Sequence, residues 1–227
     1  MTVGLSRRRL LGSAATVGAA SFVGLTALTS DAVAYQSSTT VGSDPSVRVD
    51  WRETYNGAVV DDGDEQDGPV LGVGNAQPGD SGTVAFRVTP DTTQSARVSF
   101  SLALTENSEN GRNEPERAAG DTTGDRGELA DALDVAVWYD TGTLGLLGFG
   151  GCDGDLDAAE TTLVNGSLVE ADAALAEGVQ LGGDCIDPDS AVCVGLSWSL
   201  AASTGNRIQG DSAGTSLSFT VESCDGP

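Results

Sequence analysis

The stretch Thr83-Val84-Ala85-Phe86-Arg87-Val88 decides the fold, because large apolar side chains recur in it at every second position. A period of two is typical of a half-buried β-strand. The same alternation recurs at residues 46–51, 98–104, 133–139, 192–200 and 215–224. Turn-forming stretches such as Gln77-Pro78-Gly79-Asp80-Ser81-Gly82 separate these segments. We therefore predict an all-β fold, an antiparallel β-sandwich of about seven to nine strands with long acidic loops.

The last two strands suggest a pairing and, with it, a disulfide. If they run antiparallel with Cys193 opposite Cys224, then Trp198 faces Phe219 and both cysteines lie on the other face. This register predicts a Cys193–Cys224 bond and leaves Cys152 to pair with Cys185. Four cysteines allow three connectivities, and the long connection over 201–216 does not fix the register.

The first 34 residues have the layout of a twin-arginine signal peptide. Arg7-Arg8-Arg9 precede an uncharged segment, residues 10–29, and Ala32-Val33-Ala34 is a small-residue cleavage site. An uncleaved membrane anchor is the alternative, since about 20 uncharged residues can span a bilayer. The segment is rich in Gly, Ala, Ser and Thr, which favours cleavage between Ala34 and Tyr35. We expect an extracellular or cell-surface protein with no stable membrane insertion after cleavage.

The mature chain would consist of a flexible arm, residues 35–46, and a β-sandwich domain, residues 47–227. Its charge is strongly negative: 11 basic and 34 acidic residues, less the three arginines and Asp31 of the signal, leave 8 − 33 = −25. There is no lysine. Such a charge repels itself in dilute buffer and is screened in molar salt, where the Debye length is about 3 Å. This composition indicates a halophilic protein that does not bind nucleic acid.

The absence of histidine excludes most catalytic designs. It removes the Ser-His-Asp triad, the Cys-His dyad and every histidine metal site, and no C-x-x-C spacing indicates zinc. No pair of acids stands out as a glycosidase pair. Trp51, Trp138 and Trp198 lie in or beside predicted strands, where a core or sheet-edge position is expected. We therefore predict that the protein is not an enzyme and has no catalytic residues, with a hydrolase as a remote alternative.

One acidic loop has the spacing of a cation site. Its carboxylates stand at alternate positions, which can direct several oxygens at one calcium ion: Asp153, Asp155, Asp157 and Glu160. An EF-hand is absent, and a hydrated surface loop is the competing interpretation. Calcium is the one cofactor that the sequence suggests. We interpret the acidic run Asp61–Asp67 as halophilic surface, and Gly145–Gly151 as a strand–turn element or an apolar patch for subunit contact.

Several stretches resemble a group of haloarchaeal exported proteins that is similar to the camelysin/TasA (SipW-dependent) superfamily. The resemblance covers most of residues 47–224 and rests on the signal, the 77–82 turn and the following stretches: Val47-Arg48-Val49-Asp50-Trp51, Tyr55-Asn56-Gly57, Glu109-Asn110-Gly111-Arg112-Asn113-Glu114-Pro115-Glu116, Gly127-Glu128-Leu129-Ala130-Asp131, Val137-Trp138-Tyr139-Asp140, Cys193-Val194-Gly195-Leu196-Ser197-Trp198 and Gly205-Asn206-Arg207-Ile208-Gln209-Gly210-Asp211-Ser212.

This resemblance implies a jelly-roll sandwich whose subunits polymerise when an N-terminal strand is donated to a neighbour. The candidate donor is Tyr35 to Val41, of which residues 36–40 are polar. We do not extend the peptidase activity that the camelysin name implies to this chain, because the chain has no histidine. We expect a structural protein of the cell surface or matrix that assembles with itself or with other surface proteins as a pilus-like filament. The alternative is a monomeric secreted binding module stabilised by calcium.

Overall fold

A computed structural model describes residues 37–43, 45–59, 76–91, 93–142, 151–188 and 190–224. Its strands are β1 (Ser37–Gly42), β2 (Ser46–Tyr55), β3 (Ala58–Val59), β4 (Ser81–Pro90), β5 (Ala96–Ser108), β6 (Leu133–Tyr139), β7 (Thr161–Ser167), β8 (Val179–Ile186), β9 (Val192–Leu200) and β10 (Ser212–Ser223). Its helices are α1 (Glu114–Ala118), α2 (Leu129–Ala132), α3 (Leu168–Leu175) and a 3-10 helix, Asn206–Ile208. None of the helices in these ranges has the length and apolar character needed to cross a bilayer.

Two antiparallel sheets pack against each other, which confirms the predicted antiparallel β-sandwich. The larger sheet has the order β1-β2-β4-β9-β6-β7, with β3 paired to β2. The smaller sheet has the order β10-β5-β8. The described residues contain one strand more than the upper end of the expected number, and β3 is only two residues long. The jelly-roll expectation stays a prediction.

The core lies between the sheets and follows from the alternation in the sequence. Phe86 of the larger sheet contacts Phe100 and Phe219 of the smaller one, with ring centroids 6.1 and 5.4 Å away. Burying each such ring contributes about 1.5–3 kcal/mol. Trp51 and Trp198 are buried in this core, as expected. Trp138 is also buried, but it lies on the outer face of the larger sheet, over Gly195.

The predicted pairing of the last two strands is wrong. β9 lies between β4 and β6 in the larger sheet, whereas β10 pairs with β5 in the smaller sheet. Phe219 is therefore opposite Phe100, and Trp198 is opposite Gly82 and Val135. The predicted face was correct, because Leu196, Trp198 and Leu200 are all buried. Alternation fixes which face of a strand is buried, and it leaves the neighbouring strand undetermined.

The predicted disulfide connectivity is wrong for the same reason. The two bonds are Cys152–Cys193 and Cys185–Cys224, with Cα–Cα distances of 5.2 and 6.2 Å. Once β9 and β10 belong to different sheets, Cys193 and Cys224 are no longer opposite each other. Cys193 instead joins the 151–158 segment, and Cys185 of β8 joins the end of β10. Two disulfides indicate folding in an oxidising compartment.

Part of the expected flexible arm is ordered. Residues Ser37–Gly42 form β1, which pairs antiparallel with β2 from Ser37↔Trp51 to Gly42↔Ser46. The signal peptide with its cleavage site at Ala34 and Tyr35, the acidic run Asp61–Asp67 and residues 143–150 of the apolar loop lie outside the described residues.

Candidate functional site: a buried carboxylate cluster

The predicted calcium loop does not gather its four carboxylates. Asp153 Oδ1 accepts from the amide of Asp155 at 2.9 Å. Glu160 uses one oxygen for the amide of Gly142 at 2.7 Å and the other for the amide of Asp157 at 2.9 Å. Asp155 is exposed. These local hydrogen bonds hold the loop shape, and the four side chains do not form a set of converging ligands among the described residues.

A single carboxylate beneath this loop fastens it to the larger sheet. Asp140 is fully buried and accepts from the amides of Cys152 at 2.6 Å and Gly154 at 2.7 Å. Burial raises the pKa of Asp140 to about 7, against the lowering effect of these two amides, and the charges of Asp153 and Glu160 raise it further. Asp140 thus holds the 151–158 segment over the sheet, beside the Cys152–Cys193 bond.

A larger acidic group lies elsewhere, where β5 ends and β10 begins. Five carboxylates from five separate segments meet there, and we call them the carboxylate cluster: Glu109, Glu116, Asp121, Glu128 and Asp211. Two groups of three have ligand oxygens within 4.8 Å of one another, and both contain Glu109. One group adds Glu116 and Asp211, and the other adds Asp121 and Glu128.

Local structure positions each member of the carboxylate cluster. Glu109 directly follows β5, and Asp211 directly precedes β10, so the pairing Ser108↔Ser212 brings them together. Glu116 lies in α1, where it forms a capping box with Asn113. Asp211 Oδ2 accepts from the amides of Glu128 at 2.7 Å and Leu129 at 3.1 Å, which ties α2 to the end of the sheet.

Thr123 links three of the carboxylates. Its hydroxyl lies 2.7 Å from Asp121 Oδ1, 2.9 Å from Glu128 Oε1 and 3.2 Å from Glu109 Oε2. A hydroxyl has one hydrogen to donate, so it can satisfy only one of these oxygens at a time. Its own amide donates to Asp121 Oδ1 at 2.8 Å. The carboxylates are therefore oriented by hydrogen bonds that use one oxygen of each.

The second oxygen of every member is buried and has no hydrogen-bond partner among the described residues. These atoms are Glu109 Oε1, Glu116 Oε1, Asp121 Oδ2, Glu128 Oε2 and Asp211 Oδ1. Three of these residues are almost completely buried: Glu109, Glu116 and Asp121 are 1, 0 and 3% exposed. Buried acids are rarely left in this state, because desolvating an unpaired charge is costly.

The surroundings of the carboxylates shift their pKa values in different directions. Burial raises the pKa of Glu109, and the charges of Asp211, Asp121 and Glu116 raise it further. Burial also raises the pKa of Asp211, although the amides of Glu128 and Leu129 oppose this effect. The amide of Thr123 lowers the pKa of Asp121. Negative charge is thus concentrated where little solvent is present to stabilise it.

The nearby cations in the described part of the chain do not neutralise this charge. Arg207 Nη2 lies 3.9 Å from Glu128 Oε1, and Arg112 Nη1 donates to the carbonyl of Asp121 at 3.3 Å. Neither contact is made to one of the unpartnered oxygens. Chemically, the cluster is a set of hard oxygen donors without a histidine.

Sequence reasoning missed this cluster because its members span residues 109–211. The only available signal was that three stretches carrying the family resemblance, 109–116, 127–131 and 205–212, are those that meet here. No spacing rule for a single loop applies to acids contributed by five segments. No protein-family model matches the chain, and no curated protein matches it.

Proposed function

We propose that this protein is a non-catalytic structural subunit of a halophile's cell surface or extracellular matrix, exported through a twin-arginine signal. Its copies assemble by exchanging β1, Ser37–Gly42, between neighbours. The observation that carries the proposal is the position of β1 at the edge of the larger sheet, close to the N-terminal end of the described chain. The resemblance to camelysin/TasA-like proteins supports the same function.

The contacts of β1 favour exchange. Its six residues pair with β2, and only residues 43–45 connect the two strands. If this short connection opened, β1 of one copy could pair with β2 of the next in the same register, so the main-chain hydrogen bonds would be kept. Exchange therefore costs little in contacts and links each copy to the next.

The charge of the mature chain sets the conditions for assembly. A net charge of −25, obtained as 8 − 33, makes copies repel one another in dilute buffer. At about 1 M salt the Debye length falls to about 3 Å, so the repulsion is screened at the distance of a strand contact. We expect filaments in molar salt and dispersed subunits at low ionic strength.

The test is to lock β1 onto its own β2. Thr40 and Arg48 are direct cross-strand partners, and Arg48 is exposed, so Thr40→Cys/Arg48→Cys would form a bond within one copy after oxidation of the dilute protein. Thr54→Cys/Thr83→Cys is the matched control, because it joins β2 to β4, which stay together during exchange. Each variant and the unmodified mature protein are examined by negative-stain microscopy in molar salt.

We expect fibres from the unmodified protein and the control, and dispersed particles from the locked variant. Fibres that reappear when the lock is reduced under mild conditions would strengthen the result. Dispersed particles from the unmodified protein, or fibres from the locked variant, would contradict strand exchange. The first of these outcomes would favour the monomeric binding module.

A further inference from the structure

We propose that the carboxylate cluster binds a hard divalent cation of the calcium class, which stabilises the folded domain. This site is distinct from the acidic loop at residues 153–160 and does not depend on whether copies of the protein assemble. It lies at the end of the smaller sheet, between α1, α2 and the start of β10.

The unpartnered oxygens carry the proposal. Three of the five acids, Glu109, Glu116 and Asp121, are at least 97% buried, and each has one oxygen without a hydrogen-bond partner among the described residues. The partnered oxygens bind amides or the Thr123 hydroxyl, which fixes the rotation of the carboxyl groups. Within each group of three, one carboxylate oxygen of every acid lies within 4.8 Å of the others, an arrangement that a cation stabilises and that mutual repulsion opposes.

The donor chemistry favours calcium over softer metals. Every ligand atom offered is a carboxylate oxygen, and the chain has no histidine. Calcium takes 6–8 oxygens at about 2.3–2.6 Å in flexible geometry, whereas magnesium requires a near-ideal octahedron. Glu128 and Asp211 are half-buried, so water can complete the coordination. Both groups of three contain Glu109, which is therefore the carboxylate common to either arrangement of ligands.

A proton is the competing way to hold these acids together. The raised pKa values of Glu109 and Asp211 favour protonation as the pH falls, and protons would then displace the cation. The side chains of Arg207 and Arg112 lie beside Glu128 and Asp121. Protons and calcium therefore compete for the same carboxylate oxygens.

The first experiment uses the unmodified mature protein at a fixed, molar NaCl concentration. The protein is treated with EDTA and dialysed, and calcium binding is followed by isothermal titration calorimetry and by the melting temperature. At a free calcium concentration 100 times Kd, linkage shifts the folding equilibrium about 100-fold, or a Tm rise of about 5–10 °C for a domain of this size. The proposal would be overturned if calcium produced no binding heat and no change in the melting temperature at either pH 5 or pH 8.

The second experiment places the site. Glu109→Gln removes the carboxylate shared by both groups, and Glu128→Gln removes a half-buried one from a single group. Asp155→Asn is the matched control, because it removes one exposed charge from the other acidic loop. We expect at least a tenfold loss of calcium affinity in each glutamine variant and less than a twofold change in the control.

If Glu109→Gln fails to fold, Glu128→Gln and Asp211→Asn decide, because they remove one half-buried acid from each group. An unchanged affinity in both of these variants, or a loss in Asp155→Asn as large as in them, would overturn the assignment to the carboxylate cluster.

Discussion

Single residues decide what covers the outer face of the larger sheet. A Cβ on Gly195 of β9 would lie 2.2 Å from two ring atoms of Trp138, so only glycine lets this indole lie flat on the strand. Gly154 likewise approaches Ala85, with a built Cβ 3.0 Å away. Asp140 accepts the amides of the segment that closes over this layer. A small second core therefore rests on two close glycine contacts and one buried acid.

Asp140 should make the stability of the domain fall as the pH rises. Its pKa is about 7 in the folded protein and near 3.8 when unfolded, so between these values the folded state holds a proton that the unfolded state has lost. The contribution of Asp140 to the free energy of unfolding should decrease from about pH 4 to about pH 7, and it should stay constant above that pH. Asp140→Asn should flatten this slope.

Urea unfolding at constant molar salt, with EDTA present, measures the slope for each variant. Asp134→Asn is the control, since Asp134 is an exposed acid on the same strand, β6. EDTA keeps cations out of the carboxylate cluster, where the raised pKa values of Glu109 and Asp211 act in the same direction. Equal slopes for the unmodified protein and Asp140→Asn would contradict the role given to this residue.

At the scale of elements, α3 connects the sheets through its capping and its apolar face. Ser167 accepts from the amide of Glu170 at 3.3 Å, and Glu170 accepts from the amide of Ser167 at 2.8 Å. Leu168, Ala171 and Leu175 are buried in the core. The helix also offers Asp172 Oδ1 to the amide of Leu104 in β5 at 2.7 Å. Its first turn therefore depends on the Ser167 side chain.

Removing this cap should destabilise the domain. Loss of an N-cap side chain costs about 0.5–2 kcal/mol, so we expect about 1 kcal/mol for Ser167→Ala. Ser203→Ala, in an exposed turn, should change stability by less than about 0.5 kcal/mol. Denaturant unfolding in molar salt makes the comparison. A Ser167→Ala protein as stable as the Ser203→Ala protein would show that packing alone holds α3.

The alternation of apolar residues was enough to predict most long strands and their buried faces. Val84, Phe86 and Val88 of β4 are all buried, as are Val98, Phe100 and Leu102 of β5. The hairpin from β2 to β3 was missed, although Asn56 and Gly57 both have positive φ and are typical of its two-residue turn. β8 was missed because Gly182 and Gly183 interrupt its apolar pattern.

Strand partners and the carboxylate cluster could not be predicted, because both depend on long-range packing. Any two alternating strands can be aligned so that their apolar faces match, and β9 and β10 matched each other as well as their real partners do. The acids of the cluster are brought together only once β5 and β10 pair. In a chain with 34 acids, no local pattern separates these five from the rest.

At the scale of the whole molecule, the two disulfides fasten opposite surfaces. Cys152–Cys193 holds a loop on the outside of the larger sheet, and Cys185–Cys224 joins β8 to the end of β10, the two outer strands of the smaller sheet. Their sequence separations are 41 and 39 residues, so their entropic effects should be nearly equal. In the chain-entropy model each bond contributes about 4 kcal/mol.

Paired serine variants test both the disulfide connectivity and the contribution of each bond to the stability of the domain. Cys152→Ser/Cys193→Ser and Cys185→Ser/Cys224→Ser each remove one whole bond, so we expect a loss of about 2–5 kcal/mol and no free thiol in the denatured protein. Cys193→Ser/Cys224→Ser removes one half of each bond and should expose the two thiols of Cys152 and Cys185. Thiol titration in denaturant and denaturant unfolding give the two readouts.

Two thiols in either of the first variants, and none in the third, would restore the Cys193–Cys224 pairing. The disulfide arrangement is therefore decided by counting thiols, independently of how stable each variant is.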